Sequence, residues 1–172
     1  MRLDRGGHLS HGHPLNVSGI FFDIVPHAEK EGAAHGYGVD VKTGRIDYDL
    51  LLEQALAARP KKIIVGATAY PALLDFERLA AIRDAVEEAN RRDGVKNPEV
   101  ILHADIAHIA TQVSVGDHPS PFGYADIITL TNQKTQGPRG GLMFVRKRAY
   151  PGINRNAGLK GKAVRQTTLF EL

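Results

Sequence analysis

Short apolar runs alternate with longer amphipathic stretches along most of the chain. The runs are rich in β-branched side chains and are bounded by turn residues, as the strands of a buried parallel sheet are. We therefore predict strands over residues 20–25, 63–65, 100–102, 127–130 and 142–145.

The amphipathic stretches predict helices. Asp47 is a suitable N-cap for a helix to about Ala58, and a second helix begins near Asp75 and ends at Asp93-Gly94. Helices between strands are typical of βαβ units. The fold class is therefore α/β, with a mainly parallel sheet and flanking helices, and a ligand is expected beyond the carboxyl ends of the strands.

Composition limits the classes of function. With 172 residues, 42% hydrophobic and 24% charged, we expect one domain over residues 1–150 and a basic, loosely ordered segment over 151–172. A net charge of +3 is too balanced to favour nucleic acid, and no cysteine is present. No apolar run has the length of a membrane span, and the N-terminus lacks the apolar core of a secretory signal. We expect a cytoplasmic protein with no membrane or nucleic-acid partner.

Polar residues that suit catalysis follow three of the predicted strands. Thr68 follows residues 63–65, Asp105 and His108 follow residues 100–102, and Lys134 follows residues 127–130. A lysine at a buried strand end loses solvation, which favours the neutral amine that attacks an aldehyde, although most lysines are simply surface residues. Asp105 is either a helix cap or the partner of a buried cation such as a pyridinium nitrogen.

Two further patterns suggest ligand sites. The run Gly137-Pro138-Arg139-Gly140-Gly141 offers backbone N–H groups to an anion, although Gly-Pro pairs more often mark turns. A metal site is the weaker hypothesis, because its histidine spacing matches no zinc pattern and no cysteine supports it. We therefore predict no metal; the residues concerned are His8, His11, His13, Asp105 and His108.

Together these segments resemble the serine hydroxymethyltransferase family. Six stretches match the family's motifs in the family's order across nearly the whole chain. They are GGHLSHG at 6–12, TGRIDY at 43–48, PKKIIVGATAYP at 60–71, DIAHIA at 105–110, HPSP at 118–121 and KTQGPRGG at 134–141.

The resemblance implies a pyridoxal 5'-phosphate (PLP) enzyme built on the large domain of the aspartate-aminotransferase type. Lys134 would form the internal aldimine with PLP, and Asp105 would keep the pyridine nitrogen protonated. His8 would stack on the ring, and Thr68 would hydrogen-bond its 3-oxygen with His108 nearby.

The resemblance also implies substrates and partners. Members of the family interconvert serine and glycine and pass one carbon to tetrahydrofolate, working as dimers with sites at the interface. Leu3, Gly7 and Leu9 fall where the family contacts folate. We expect a homo-oligomer or association with a homologous subunit.

Several positions depart from the family pattern. Asn132-Gln133 replaces Thr-His before the lysine, one residue is missing between Lys134 and Gly137, and Ala110-Thr111-Gln112 replaces Ala-Gly-Leu. The family's chain is also considerably longer, so we expect a fragment, a split gene product or a decayed copy. A threonine aldolase or transaldolase of the same superfamily, and a non-catalytic remnant that binds a homologous partner, are the alternative hypotheses.

Overall fold

The computed structural model describes residues 45–66 and 70–146, the single positions Ile20, Thr43 and Thr68, and the strand Leu169–Glu171. The chain divides into two compact units, one of residues 1–60 with 68–72 and the other of residues 61–67 with 73–172. The predicted boundary near residue 150 stays a prediction. No helix among the described residues is long and apolar enough to cross a membrane.

The first unit contains helix α1, Tyr48–Ala58. The Asp47 carboxylate caps it, accepting hydrogen bonds from the backbone N–H groups of Asp49 and Leu50 at 3.1 and 3.0 Å. Arg59, in the left-handed conformation, ends the helix directly before Pro60. The predicted helix is confirmed at both ends.

The second unit is a five-stranded sheet in the order β1-β2-β3-β4-β5. Three of its strand pairs are parallel, and only the β3–β4 pair is antiparallel. The predicted α/β class with a mainly parallel sheet is confirmed. The strands are β1 Lys62–Gly66, β2 Ile101–Asp105, β3 Ile127–Thr131, β4 Gly141–Val145 and β5 Leu169–Glu171.

Helix α2, Phe76–Arg92, joins β1 to β2 and packs against the sheet. Its N-cap is Asp75, whose carboxylate accepts from the Arg78 N–H at 2.9 Å. The buried side of the helix includes Phe76, Leu79 and Val86, each at most 1% exposed. Burying a large apolar side chain contributes about 1.5–3 kcal/mol, so this face alone anchors the helix.

A buried ion pair fixes α2 to the sheet. The Arg83 guanidinium lies 3.2 Å from the carboxylate of Asp126, just before β3. The same Asp126 oxygen accepts the Leu102 backbone N–H at 2.9 Å, and Arg83 also donates to the Tyr124 carbonyl at 2.7 Å. These contacts hold β2 and β3 together at their amino ends. The fixed register of the two strands then determines which residues lie next to each other at their carboxyl ends.

Candidate active site

The carboxyl ends of β2 and β3 bring three of the predicted site residues to one edge of the sheet. Asp105 is the last residue of β2 and pairs in register with Thr129 of β3. His108 lies in the turn between β2 and the short helix α3, Ala110–Val115. Lys134 ends a 3-10 turn, Asn132–Lys134, that directly follows β3. Because β2 and β3 are parallel, both strands end at the same edge of the sheet.

Lys134 and His108 are in direct contact. The Lys134 Nζ lies 2.8 Å from His108 Nε2. The Thr111 hydroxyl of α3 also donates to the Lys134 carbonyl at 3.4 Å. Both members of the Lys134–His108 pair are exposed, so the expectation of a desolvated lysine is wrong. The 3-10 turn carries the side chain past the end of the buried strand and into solvent.

Asp105 combines a structural contact with its position at the edge. The side chain is half-buried, and its Oδ1 accepts the Ala107 backbone N–H at 3.1 Å. This contact closes the turn after β2, whereas α3 begins after Ile109 without a side-chain cap, so the expectation that Asp105 caps a helix is wrong. A carboxylate has two oxygens and can accept several hydrogen bonds, so this turn contact is compatible with a second role towards a cation.

Gly66 is a site feature that the sequence analysis did not single out. It ends β1 opposite Asp105. A Cβ at Gly66 would lie 2.8 Å from the Asp105 carbonyl oxygen and 3.3 Å from the Asp105 Cβ. The close approach of the two strands therefore depends on glycine at this position. A glycine directly after the apolar run 63–65 is the sequence feature that indicates this close approach.

The segment after the lysine folds back on Asn132. The Asn132 carbonyl accepts from the backbone N–H of Thr135 at 2.9 Å, from the Thr135 hydroxyl at 2.9 Å and from the Gly137 N–H at 3.0 Å. The Asn132 N–H in turn donates to the Gly140 carbonyl at 3.0 Å. The expectation that this glycine-rich loop offers its N–H groups to an anion is therefore wrong for Gly137, whose donor is already used.

A second polar pair lies on the same sheet face as Asp105. His103 Nε2 and the Thr129 hydroxyl are 2.9 Å apart, on neighbouring strands. His103 precedes Asp105 by two residues in β2, which places both side chains on one face. This pair was not predicted, although the alternation of apolar and polar residues in ILHAD at 101–105 indicates a polar side chain at His103.

The remaining predicted site residues are not assembled by the described structure. Thr68 is exposed and belongs to the other compact unit. His8, Leu3, Gly7 and Leu9 lie outside the described residues, as do His11 and His13. Within the part of the chain that the structure describes, no group of three or more His, Asp or Glu side chains could hold a metal ion.

The described edge fits part of what PLP requires. An exposed amine is available to an aldehyde, and a carboxylate at a strand end suits a protonated ring nitrogen. The Gly137 N–H is engaged with Asn132 and is therefore not available to the phosphate.

Comparison with known proteins agrees with these features. The model of the serine hydroxymethyltransferase family matches residues 1–167. A serine hydroxymethyltransferase of Rippkaea orientalis (strain PCC 8801 / RF-1) is 44% identical over 147 residues. That alignment covers 85% of this chain and 29% of the relative, so the chain spans less than a third of the relative's length. The resemblance is confirmed, and this chain belongs to the serine hydroxymethyltransferase family.

Proposed function

We propose that this chain supplies the lysine-bearing part of a PLP-dependent serine hydroxymethyltransferase site. The reaction would interconvert serine and glycine, with tetrahydrofolate as the one-carbon acceptor. The observation that carries the proposal is the meeting of Lys134, His108 and Asp105 at one sheet edge, in a chain of this family. Because the chain spans 29% of the relative it matches, other segments would complete the site.

Each residue has a distinct task in this proposal. PLP, when bound, supplies an electron sink that stabilises negative charge on the substrate's α-carbon. Lys134 would hold the cofactor's aldehyde through its amine, and the Asp105 carboxylate would favour a protonated ring nitrogen by charge. His108 contacts the Lys134 amine and would influence its position and its local charge environment.

Residues beyond the described edge complete the proposed site. Thr68 would donate to the ring's 3-oxygen, and His8 would cover one ring face. Leu3, Gly7 and Leu9 would contact folate. We further propose a cytoplasmic enzyme that assembles as a homo-oligomer or with a homologous subunit, as the family's dimers do.

The cofactor and the lysine can be tested together by titrating the purified chain with PLP and following visible absorbance. We expect a yellow band in the wild type, because an amine–aldehyde adduct absorbs there, and none in Lys134→Ala. Lys96→Ala is the matched control, since Lys96 is also an exposed lysine of the same unit but lies in the loop after α2. A band of equal intensity in Lys134→Ala would reject Lys134 as the attachment site.

Substrate use separates the proposal from the threonine-cleaving alternative. Serine cleavage that depends on tetrahydrofolate is the expected result, measured with the chain alone and with a full-length homologue. Threonine cleavage without any folate-dependent activity towards serine would favour the aldolase instead. A chain that takes up no PLP but co-purifies with the homologue would favour the non-catalytic remnant.

A further inference from the structure

The contact between Lys134 and His108 has a defined direction. A lysine ammonium has three donors and no acceptor, whereas a neutral imidazole has one nitrogen of each kind. At 2.8 Å the contact between Nζ and Nε2 has the length of a hydrogen bond. With a charged lysine, Nε2 must therefore be the acceptor, and the imidazole must be neutral with its proton on Nδ1.

The two backbones that carry this contact are held independently of it. The Ile106 N–H donates to the Thr129 carbonyl at 2.8 Å, which extends the β2–β3 pairing by one residue beyond Asp105. The Thr111 hydroxyl joins α3 to the Lys134 carbonyl at 3.4 Å. Removing the His108 side chain would therefore leave these two contacts in place while it removes the contact to the lysine amine.

Few other charges lie on the elements that meet here. Asp105 ends β2, and Arg139 lies in the loop that follows the 3-10 turn. The six residues of α3, ATQVSV, carry no titratable side chain. Among the described residues of these elements, the charges that can act on the amine are therefore those of Asp105, Arg139 and protonated His108.

We infer that His108 is a positioning residue, which holds the Lys134 amine at the sheet edge through neutral Nε2 and releases it when the imidazole is protonated. Protonation converts Nε2 from an acceptor into a donor and places a second positive charge against the ammonium. The proton comes from solvent, and no covalent bond changes. The inference rests on the proposed function in one respect, namely that the amine so held is the one that receives the cofactor.

Nitrogen NMR of the histidine-labelled full chain, without cofactor, tests the inference. The resonance lost in His108→Gln identifies His108. We expect its neutral form to carry the proton on Nδ1. We also expect its protonation midpoint to rise in Lys134→Met, because the ammonium disfavours a second positive charge. Lys96→Met should leave the midpoint unchanged. A neutral form protonated on Nε2, or equal midpoints in the wild type and Lys134→Met, would overturn the inference.

The pH dependence of PLP capture provides a second readout. Wild-type capture should slow as pH falls through the His108 midpoint, beyond the change seen for a free amine in solution. His108→Gln should lose this step, because its amide oxygen accepts a hydrogen bond but does not titrate. The same step in His108→Gln as in the wild type would contradict the inference. The NMR result needs no cofactor, so failure to bind PLP would count against the proposed function alone.

Discussion

Arg83 is a buried cation with two carboxylate partners of very different exposure. The Asp126 side chain is 1% exposed and the Asp84 side chain is 58% exposed, and both lie within 3.2 Å of the guanidinium. Removing one partner of a buried pair leaves a buried charge without compensation, whereas an exposed pair is well solvated. The two contacts should therefore differ greatly in their effect on stability.

We expect Asp126→Asn to lower the free energy of unfolding by about 3–5 kcal/mol. The matched variant Asp84→Asn, which faces the same arginine, should lower it by no more than about 1 kcal/mol. Urea unfolding followed by circular dichroism measures both values. Equal losses in the two variants would show that burial of Asp126 does not govern the contribution of this pair.

The site shows at the residue scale what sequence patterns can and cannot predict. Thr68, Asp105, His108 and Lys134 were expected at one edge because they follow predicted strands. The structure brings Asp105, His108 and Lys134 together there, whereas Thr68 belongs to the other compact unit. The solvation of Lys134 was predicted wrongly, because the pattern does not show the 3-10 turn that carries it outward. The use of the Gly137 N–H by Asn132 was also missed, since it depends on the folded path of the loop.

At the scale of the element, helix starts were more predictable than strand ends. Asp47 and Asp75 are short polar side chains that cap α1 and α2, as local chemistry requires. Strand β2 was predicted over residues 100–102 but spans Ile101–Asp105. The apolar run stops before His103, whereas the ladder continues because β2 pairs with β3 and the Thr129 hydroxyl contacts one ring nitrogen of His103, Nε2. The brief elements α3 and β5 carry too few residues for a periodic signal.

The contact between β1 and β2 at Gly66 links strand packing to the site. We expect Gly66→Ala to lower the free energy of unfolding by about 1–3 kcal/mol, because its Cβ would meet the Asp105 carbonyl and force the strands apart. The displacement should also weaken PLP binding, since Asp105 moves with its strand. Thermal unfolding and the PLP titration measure the two effects.

Gly140→Ala is the control for the Gly66 variant. Its nearest neighbour would be the Asn132 side-chain nitrogen at 3.3 Å, a flexible group that can move aside. We expect a smaller loss of stability than in Gly66→Ala. If the two alanine variants were equally stable, the close approach of β1 and β2 would not be what requires glycine at position 66.

For the whole molecule, the alternation of strands and helices sufficed to predict the fold class. Parallel strands need long crossovers, and the 34 residues between β1 and β2 contain the helix that provides one. The same test does not apply to the first 44 residues, which carry proposed ligand contacts but lie almost entirely outside the described residues. Their proposed roles therefore rest on family motifs alone.

The two sheet faces of the second unit differ in exposure. Leu102 and Ala104 of β2 are fully buried, and α2 packs against this strand. Exposure on the opposite face is uneven. Ile127 and Val145 are 6% exposed there, whereas Ile64 and Ile101 are half-buried and Met143 of β4 is 41% exposed. Parallel sheets are normally covered on both faces, so we expect the exposed part of this face, at Met143, to be a surface for association.

We expect the isolated chain to self-associate through this face, and Met143→Lys to weaken the association by placing a charge where apolar contact forms. Sedimentation velocity over a range of protein concentrations should show an average mass that rises with concentration in the wild type and rises less in Met143→Lys. Val95→Lys is the control, because Val95 is 38% exposed but lies in the loop after α2. A wild type that stays monomeric throughout, or equal weakening by both lysine variants, would show that the open sheet face does not drive association.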